Sequence, residues 1–282
     1  MNNPAITVII HTLNEEKNIR NCLECLKWAD EIIIIDMFSD DKTVEIAQEY
    51  TNKIFSYERM RYADPARQFG LQQASNEWVL VVDADELVPI QLRNCLLKIA
   101  RENQYDAVSI PRRNYFFGYC MQETGWGALE DKQMRFFKQQ YMTYTNQIHC
   151  FVQLSPLAKV LHISDPECSF IHFNYIDVEH FIEKLNRYTT IEAENKWDKS
   201  DKFSKIKVFK RIYREFWHRF VKRKGYKDGF QGIMLAILMS MYRATTEIKY
   251  YLMKKYGTND VSTTIKRQYD MLAQVEINKY VK

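Results

Sequence analysis

The chain has 282 residues and a formal net charge of +4, with 46% hydrophobic and 27% charged residues. This length is enough to bury one substantial core with a smaller appendage, and the composition is that of an ordinary globular protein, which excludes disordered and fibrous classes. The longest apolar stretch, residues 232–242, is about half of the ~20 residues that a membrane span needs, so we expect no spanning helix.

The N-terminus and the cysteines indicate a cytoplasmic protein. The first apolar run, Ile6 to Ile10, is too short and wrongly flanked for a secretory signal. Of the six cysteines only Cys22 and Cys25 form a Cys-x-x-Cys pair, and no second pair stands at zinc-site spacing. We therefore expect reduced, partly buried thiols rather than a metal or redox site.

Strand-like and helix-like segments alternate through the first hundred residues, which is typical of βαβ units. The predicted strands are Ile6–His11, Glu31–Asp36, Asn52–Ser56 and Trp78–Asp83. The predicted helices are Glu15–Lys27, Asp40–Tyr50, Pro65–Ala74 and Ile90–Asn103. The sequence therefore predicts an α/β fold with a mainly parallel sheet.

The pattern changes twice further along the chain. Residues 107–175 are less regular, and their predicted strands are Ala107–Pro111, Met134–Lys138 and Cys150–Leu154. After about Tyr175 long helical patterns follow with few glycines, including a Met-rich helix from about Phe230 to Tyr256. We therefore predict a first domain at 1–175 and a helical C-terminal region at 176–282.

The helical region contains a basic amphipathic segment. Its apolar residues recur at helical spacing, namely Ile206, Phe209, Ile212, Tyr213, Phe216, Trp217, Phe220 and Val221. Its other face is basic, with Lys207, Lys210, Arg211, Arg214 and His218. A basic helix rich in Trp and Phe is typical of interfacial membrane binding. The alternative is a helix that packs its aromatic face on the first domain and leaves the basic face in solvent.

Polar residues follow each predicted strand of the first half, where open α/β sheets bind ligands. Asp83-Ala84-Asp85-Glu86 comes directly after the apolar strand 78–82. Two carboxylates one residue apart at a strand end can direct their oxygens at a hard divalent cation that bridges a diphosphate. The alternative is a simple turn, because Asp and Glu also form turns and helix caps.

Three motifs in this order resemble the large inverting family 2 glycosyltransferases with the GT-A fold. They are residues 8–15 (VIIHTLNE), residues 34–43 (IIDMFSDDKT), and Arg67-Gln68-Phe69-Gly70 followed by Asp83-Ala84-Asp85-Glu86. The resemblance is closest to bacterial glucosyltransferases of lipopolysaccharide core assembly and related cell-surface glycans, and it runs from residue 5 to roughly 255. It implies a GT-A fold whose residues 1–106 bind the nucleotide-sugar and whose residues 107–175 face the acceptor.

The resemblance implies a donor site for a UDP-sugar. The residues implied in nucleotide binding are Thr12, Asn14, Glu15, Asp36, Ser39, Arg67, Asp83 and Ala84. Glu15 and Asp36 would accept hydrogen bonds from the ribose and the uracil, and Arg67 would approach the diphosphate. The alternatives are a capping box at Thr12-x-x-Glu15 and a surface ion pair for Arg67.

The resemblance also implies a metal and a base. Asp83, Asp85 and His172 would bind Mg²⁺ or Mn²⁺, although an isolated histidine in an apolar setting is commonly a core residue. Asp131 would remove the proton from the acceptor hydroxyl. Residues on the acceptor side are Glu130, Arg135 and His149. Here the chain departs from many relatives, with Glu-Asp for Pro-Asp, Phe136 for Leu and Cys150 for Glu.

The implied function is metal-dependent inverting transfer of a hexose, glucose by preference, from a UDP-sugar to a lipopolysaccharide core, lipid-linked or other cell-surface glycan. The expected partners are the donor, a glycan or glycolipid acceptor and the inner-leaflet surface, which makes the protein peripheral on the cytoplasmic face of the inner membrane. We do not expect nucleic acid as a partner, and the sequence is compatible with an oligomer. One alternative is a non-catalytic protein that holds anionic lipid or nucleic acid. The other is a nucleotidyltransferase, which the acidic, glycine-free first turn disfavours.

Overall fold

The computed structural model of the protein describes residues 4–59, 64–144 and 153–280. The chain divides into two compact units, Met1–Ile176 and Asp177–Lys282. The first combines strands with flanking helices, and the described part of the second is helical. The α/β class with a helical C-terminal region is confirmed.

The first unit is built on strands that alternate with helices in its N-terminal half. The strands are β1 (Ile6–Thr12), β2 (Glu31–Asp36), β3 (Ile54–Ser56), β4 (Trp78–Asp83), β5 (Glu86–Leu87), β6 (Ala107–Phe116), β7 (Tyr119–Cys120), β8 (Lys132–Lys138), β9 (Met142–Thr143), β10 (Gln153–Leu154), β11 (Val160–His162) and β12 (Phe170–Tyr175). The helices are α1 (Ile19–Glu24), α2 (Thr43–Gln48), α3 (Asp64–Gln73) and α4 (Ile90–Glu102).

Ten of these strands form one mixed sheet in the order β3-β2-β1-β4-β8-β6-β12-β5, with β7 and β11 also pairing with β6. The first four strands are parallel, as predicted. Strand β8 enters antiparallel between β4 and β6, and β12 runs parallel to β6. This order continues the parallel strands of the N-terminal half directly into the strands of residues 107–175.

The central strands read as unbroken apolar runs because both faces of the sheet are covered. On β1, Val8 and Ile10 face one layer of the core, and Ile9 faces the other. Helices α1 and α4 cover the first layer, and α3 contributes Ala66 and Leu71 to the second. The apolar side chains are therefore buried on both faces of the sheet.

The second unit contains α5 (Val178–Asp198), α6 (Lys205–Trp217), α7 (Gly229–Tyr256) and α8 (Val261–Tyr280). Asp177 caps α5, since its side chain accepts a hydrogen bond from the His180 backbone N–H at 2.8 Å. Helix α6 continues into a π-helical turn, His218–Lys222. None of the helices in the described ranges is long and apolar enough to cross a membrane.

Several predicted boundaries change in the structure. Helix α1 is much shorter than predicted, because turns replace its first and last residues. Strand β6 extends five residues beyond the prediction, and only Gln153–Leu154 of the predicted strand 150–154 lies within the described residues. Strand β12 was not predicted, and helix α8 was predicted only as part of the helical region 176–282, without limits of its own.

Candidate active site

The parallel register brings the carboxyl ends of three strands to one place. Thr12 of β1 pairs with Asp36 of β2, and His11 of β1 pairs with Asp83 of β4. Burial and the nearby Arg67 guanidinium lower the pKa of His11 to about 3, so this imidazole is neutral. The polar residues that follow the predicted strands thus form one cluster at the sheet edge.

Hydrogen bonds join the loops that follow β1 and β2. Ser39 donates its hydroxyl to Asp36 Oδ1 at 2.6 Å and its backbone N–H to Asp36 Oδ2 at 3.0 Å. The same hydroxyl accepts from the Asn14 backbone N–H at 2.9 Å, and the Asn14 amide donates to Asp40 at 2.6 Å. Asp36 is therefore buried and held with a fixed orientation between two loops.

Glu15 does not form the capping box that its spacing with Thr12 allows. Helix α1 begins four residues later, at Ile19, with Asn18 as its N-cap residue. The Glu15 carboxylate instead accepts from the Asn18 amide at 2.8 Å, and its backbone N–H donates to the Thr43 hydroxyl at 2.7 Å. The capping alternative is wrong for this residue.

Phe38, in the loop after β2, is a feature that the sequence reasoning missed. Its φ of 58° lies in the left-handed region, and its ring is largely exposed. A bulky residue in this conformation costs about 1–2 kcal/mol, and such strain is concentrated at ligand sites. An exposed aromatic ring therefore lies two residues after the buried Asp36 in the chain.

Asp83 lies between two arginines. Arg135 of β8 donates to both oxygens, at 3.0 and 2.5 Å, and Arg67 of α3 donates to Oδ1 at 3.2 Å. Burial alone would raise the pKa of Asp83, but the two guanidinium groups hold it well below its ordinary value. Arg135, predicted on the acceptor side, thus shares the Asp83 carboxylate with Arg67.

A chain of polar contacts links Asp85 to Asp131. His172 Nε2 lies 3.5 Å from Asp85 Oδ2, and His172 Nδ1 lies 2.7 Å from Asn114 Oδ1. The Asn114 amide donates to Asp131 Oδ2 at 2.9 Å. These contacts follow from the sheet, since His172 on β12 pairs with Asn114 on β6. Two of the three predicted metal ligands, Asp85 and His172, and the predicted base are therefore parts of one network.

Arg112 closes this network on the side of Asp131. Its guanidinium lies 2.7 Å from Asp131 Oδ2 and 3.2 Å from Glu86, which is fully buried. Gln133 donates to the other Asp131 oxygen at 2.9 Å. Against the effect of burial, Arg112 and these amide donors lower the pKa of Asp131. Arg112 and Asn114 were missed, although their spacing in a strand places them on one face.

The donor set at Asp85 and His172 fits a divalent cation. Adjacent ligands of an octahedral Mg²⁺ or Mn²⁺ stand about 3 Å apart, close to the observed separation of 3.5 Å. Asn114 holds the other ring nitrogen of His172, as is usual for metal-binding imidazoles. Within the described ranges, no group of three or more His, Cys, Asp or Glu residues is arranged as a metal site. Mg²⁺ sites that use one or two protein ligands complete their coordination with substrate phosphates and water.

The remaining predicted residues are distributed around this network. Ala84 is buried in the core. Glu130 accepts from the Gly125 backbone N–H at 2.8 Å in the loop before β8. His149 lies outside the described residues. The individual roles of all these residues stay predictions.

Comparison with known proteins gives a family for this arrangement. Residues 7–158 match the family model described as Glycosyl transferase family 2, which is more than half of the chain. The lipopolysaccharide core biosynthesis glycosyltransferase LpsC of Rhizobium meliloti is 27% identical over 253 residues, which cover 87% of this chain and 92% of LpsC. An uncharacterized glycosyltransferase of Rickettsia typhi is 25% identical, with 84% of each chain covered.

Among solved structures, TarS 1-349 of S. aureus is similar, with 16% identity, a TM-score of 0.48 and coverage of 88% of this chain and 91% of TarS. The family match spans β1 to β4 with their polar ends, together with β6 and β8. The chain therefore belongs to glycosyl transferase family 2.

Proposed function

We propose that this enzyme is a metal-dependent inverting glycosyltransferase that moves a hexose, preferentially glucose, from a UDP-sugar to a lipopolysaccharide core or a related lipid-linked or cell-surface glycan. The observation that carries the proposal is the register that places Thr12, Asp36 and Asp83 at one sheet edge, where Asp85 follows two residues after Asp83 and is linked through His172 and Asn114 to Asp131. The acceptor class rests on LpsC, whose name refers to lipopolysaccharide core biosynthesis.

The donor nucleotide is assigned to the loops after β1 and β2. The Asp36 carboxylate, which Ser39 orients, accepts a hydrogen bond from the uracil N–H or a ribose hydroxyl. Arg67 and Arg135, which Asp83 aligns, supply positive charge for the diphosphate. In this assignment Asp83 serves to position the two arginines.

Asp85 and His172 are the residues that would hold Mg²⁺ or Mn²⁺. The cation, when bound, stabilises the negative charge that develops on the departing UDP. Asn114 fixes the ring of His172 and leaves Nε2 directed toward Asp85. A metal contact by Asp83 stays a prediction, because in the structure both of its oxygens accept from guanidinium groups.

Asp131 is the base in this proposal. The carboxylate is ionised at neutral pH and can therefore accept a proton, although its lowered pKa also makes it a weaker base. As the acceptor oxygen attacks the anomeric carbon, the acceptor O–H bond breaks toward Asp131, a new C–O bond forms, and the bond from that carbon to the UDP oxygen breaks. Attack on the face opposite to UDP inverts the configuration.

The anomer formed when water replaces the acceptor tests this proposal. UDP-α-hexoses are incubated with the enzyme and Mn²⁺, and proton NMR follows the released sugar before mutarotation. We expect the β-anomer to appear first, with glucose released faster than galactose. Asp131→Asn should abolish the release, while the control Glu102→Gln, an exposed carboxylate on α4, should retain it.

Two results would contradict the proposal. Release of the α-anomer would exclude inversion. Failure to release any hexose, together with an absence of UDP binding, would exclude a UDP-sugar donor. Membership of glycosyl transferase family 2 would then be the only conclusion about function that remains.

A further inference from the structure

Helix α6 exposes a stripe of large apolar side chains. Ile206, Phe209, Tyr213 and Trp217 are 69%, 74%, 65% and 44% exposed, and they recur every three or four residues. The rings of Tyr213 and Trp217 stack with their centroids 6.1 Å apart. Four of the eight apolar residues on the predicted face therefore point to solvent.

The opposite side of α6 packs on α7 through a separate set of contacts. Glu215 pairs with Arg219 at 2.7 Å and with Arg243 of α7 at 3.2 Å. Arg211 pairs with the buried Glu247 of α7. The contacts that attach α6 to α7 therefore do not need the exposed stripe.

Positive charge flanks the stripe. Residues 205–224 include nine lysines and arginines but one acidic residue, Glu215, which its arginine pairs neutralise. Lys207, Lys210 and Arg214 are exposed, and none of them forms an ion pair with another described residue. This side of α6 is therefore complementary to a surface of high negative charge density.

Helix α7 extends the apolar surface next to Phe209. A small cavity of about 170 Å³ is lined by Phe203, Val208 and Phe209 together with Ile248 and Tyr251 of α7. Ile248 is itself largely exposed. A cavity of this size between two helices can take a short length of hydrocarbon.

We propose that this α6 face, defined by Ile206, Phe209, Tyr213 and Trp217 with Lys207, Lys210 and Arg214, binds the surface of an anionic phospholipid bilayer. The rings enter the boundary between headgroups and acyl chains, and the ammonium and guanidinium groups remain at the phosphates. Nucleic acid could pair its phosphates with the lysines and Arg214, but it would leave the aliphatic side chain of Ile206 exposed. The inference is independent of the proposed reaction.

Vesicle flotation of the full-length protein tests this surface. Phosphatidylcholine vesicles are compared with vesicles that also contain phosphatidylglycerol. We expect binding to the anionic vesicles, weakened by salt, and a loss of more than tenfold for the double variant Phe209→Ser with Trp217→Ser. Lys207→Glu with Lys210→Glu should remove the preference for anionic vesicles.

The matched control is Ile90→Ser with Leu157→Ser, which replaces two exposed apolar residues of the first unit and should bind as the wild type does. Circular dichroism confirms that each variant is folded. Three results would overturn the proposal: wild-type binding retained by the Phe209 and Trp217 variant, capture of the wild type by RNA but not by vesicles, or a dimer that this variant dissociates without any vesicle binding.

Discussion

At the sheet edge of the first unit, arginines are buried in ion pairs with carboxylates, whereas on helix α6 of the second unit the basic side chains are exposed. At the sheet edge Arg67, Arg112 and Arg135 are nearly buried, and each one pairs with a carboxylate. On α6, exposed cations outnumber acids and flank exposed rings. Buried pairs fix the orientation of both partners, whereas exposed charge remains available to a large anionic surface.

The largest expected effect is on the proposed base. Asp131→Asn keeps the size and most hydrogen-bonding capacity of the side chain but removes its ability to accept a proton. We expect kcat to fall by roughly 10²–10⁴-fold, with little change in the affinity for UDP. Steady-state kinetics and a UDP titration measure the two quantities. An unchanged kcat would show that another group takes the proton.

Removing the carboxylate between two arginines tests whether the sheet-edge pairs also stabilise the fold. Asp83→Leu leaves Arg135 buried without its counter-charge, so we expect the free energy of unfolding in urea to fall by about 3 kcal/mol. The exposed pair of Arg20 with Glu49 is the control, and Glu49→Gln should cost far less. Equal losses would mean that burial makes no difference to these pairs.

Glu31 is a buried carboxylate at the amino-terminal end of β2, opposite to the strand end that carries Asp36. Against the effect of burial, Lys53, Thr7 and Ser75 lower its pKa from 4.5 to about 2. A pKa that is lower in the folded state gives stability that is present above about pH 4.5 and is lost as the pH falls toward 2. We expect Glu31→Gln to cost about 2 kcal/mol at pH 7 and much less at pH 2.5, with UDP affinity unchanged. Urea unfolding at several pH values measures this, and a pH-independent loss would contradict it.

The smallest effect is expected for Asn114, a positioning residue. Its amide favours the ionised form of Asp131, so Asn114→Ala should raise the pKa of the base and shift the acid limb of the kcat/KM profile to higher pH. We expect about a tenfold decrease in kcat, within the range of the loss of one buried hydrogen bond. A purely structural role would lower activity without moving the limb.

The parallel half of the fold was predictable because its signals are local. Strands β2 and β4 have the predicted limits, since a buried apolar run bounded by charged or turn residues defines both ends. Strand β12 was missed because its polarity is reversed relative to an ordinary half-buried strand, since His172 and Asn174 are buried while Phe173 is exposed. Helix α8 was predicted only as part of the helical region 176–282 and received no limits of its own, although Val261, Ile265, Tyr269, Leu272 and Val275 recur at helical spacing.

Part of the site was also predictable from local sequence signals. Thr12, Asp36 and Asp83 follow strands, so a parallel sheet brings them together. The partners of Asp131 could not be inferred, because Arg112 and Asn114 act from the middle of a long strand that pairs with distant segments. The sequence analysis left two alternative functions open, a non-catalytic protein and a nucleotidyltransferase. Neither of them agrees with the family match.

The most direct test of the donor site is a calorimetric titration of UDP into the enzyme with and without Mn²⁺, repeated on Asp85→Ala. The control is Glu102→Ala, which removes an exposed carboxylate from α4. We expect UDP to bind tightly in the presence of Mn²⁺, omission of the ion or removal of Asp85 to weaken binding more than tenfold, and the control to bind normally. Binding that is indifferent to both the ion and Asp85 would contradict this expectation.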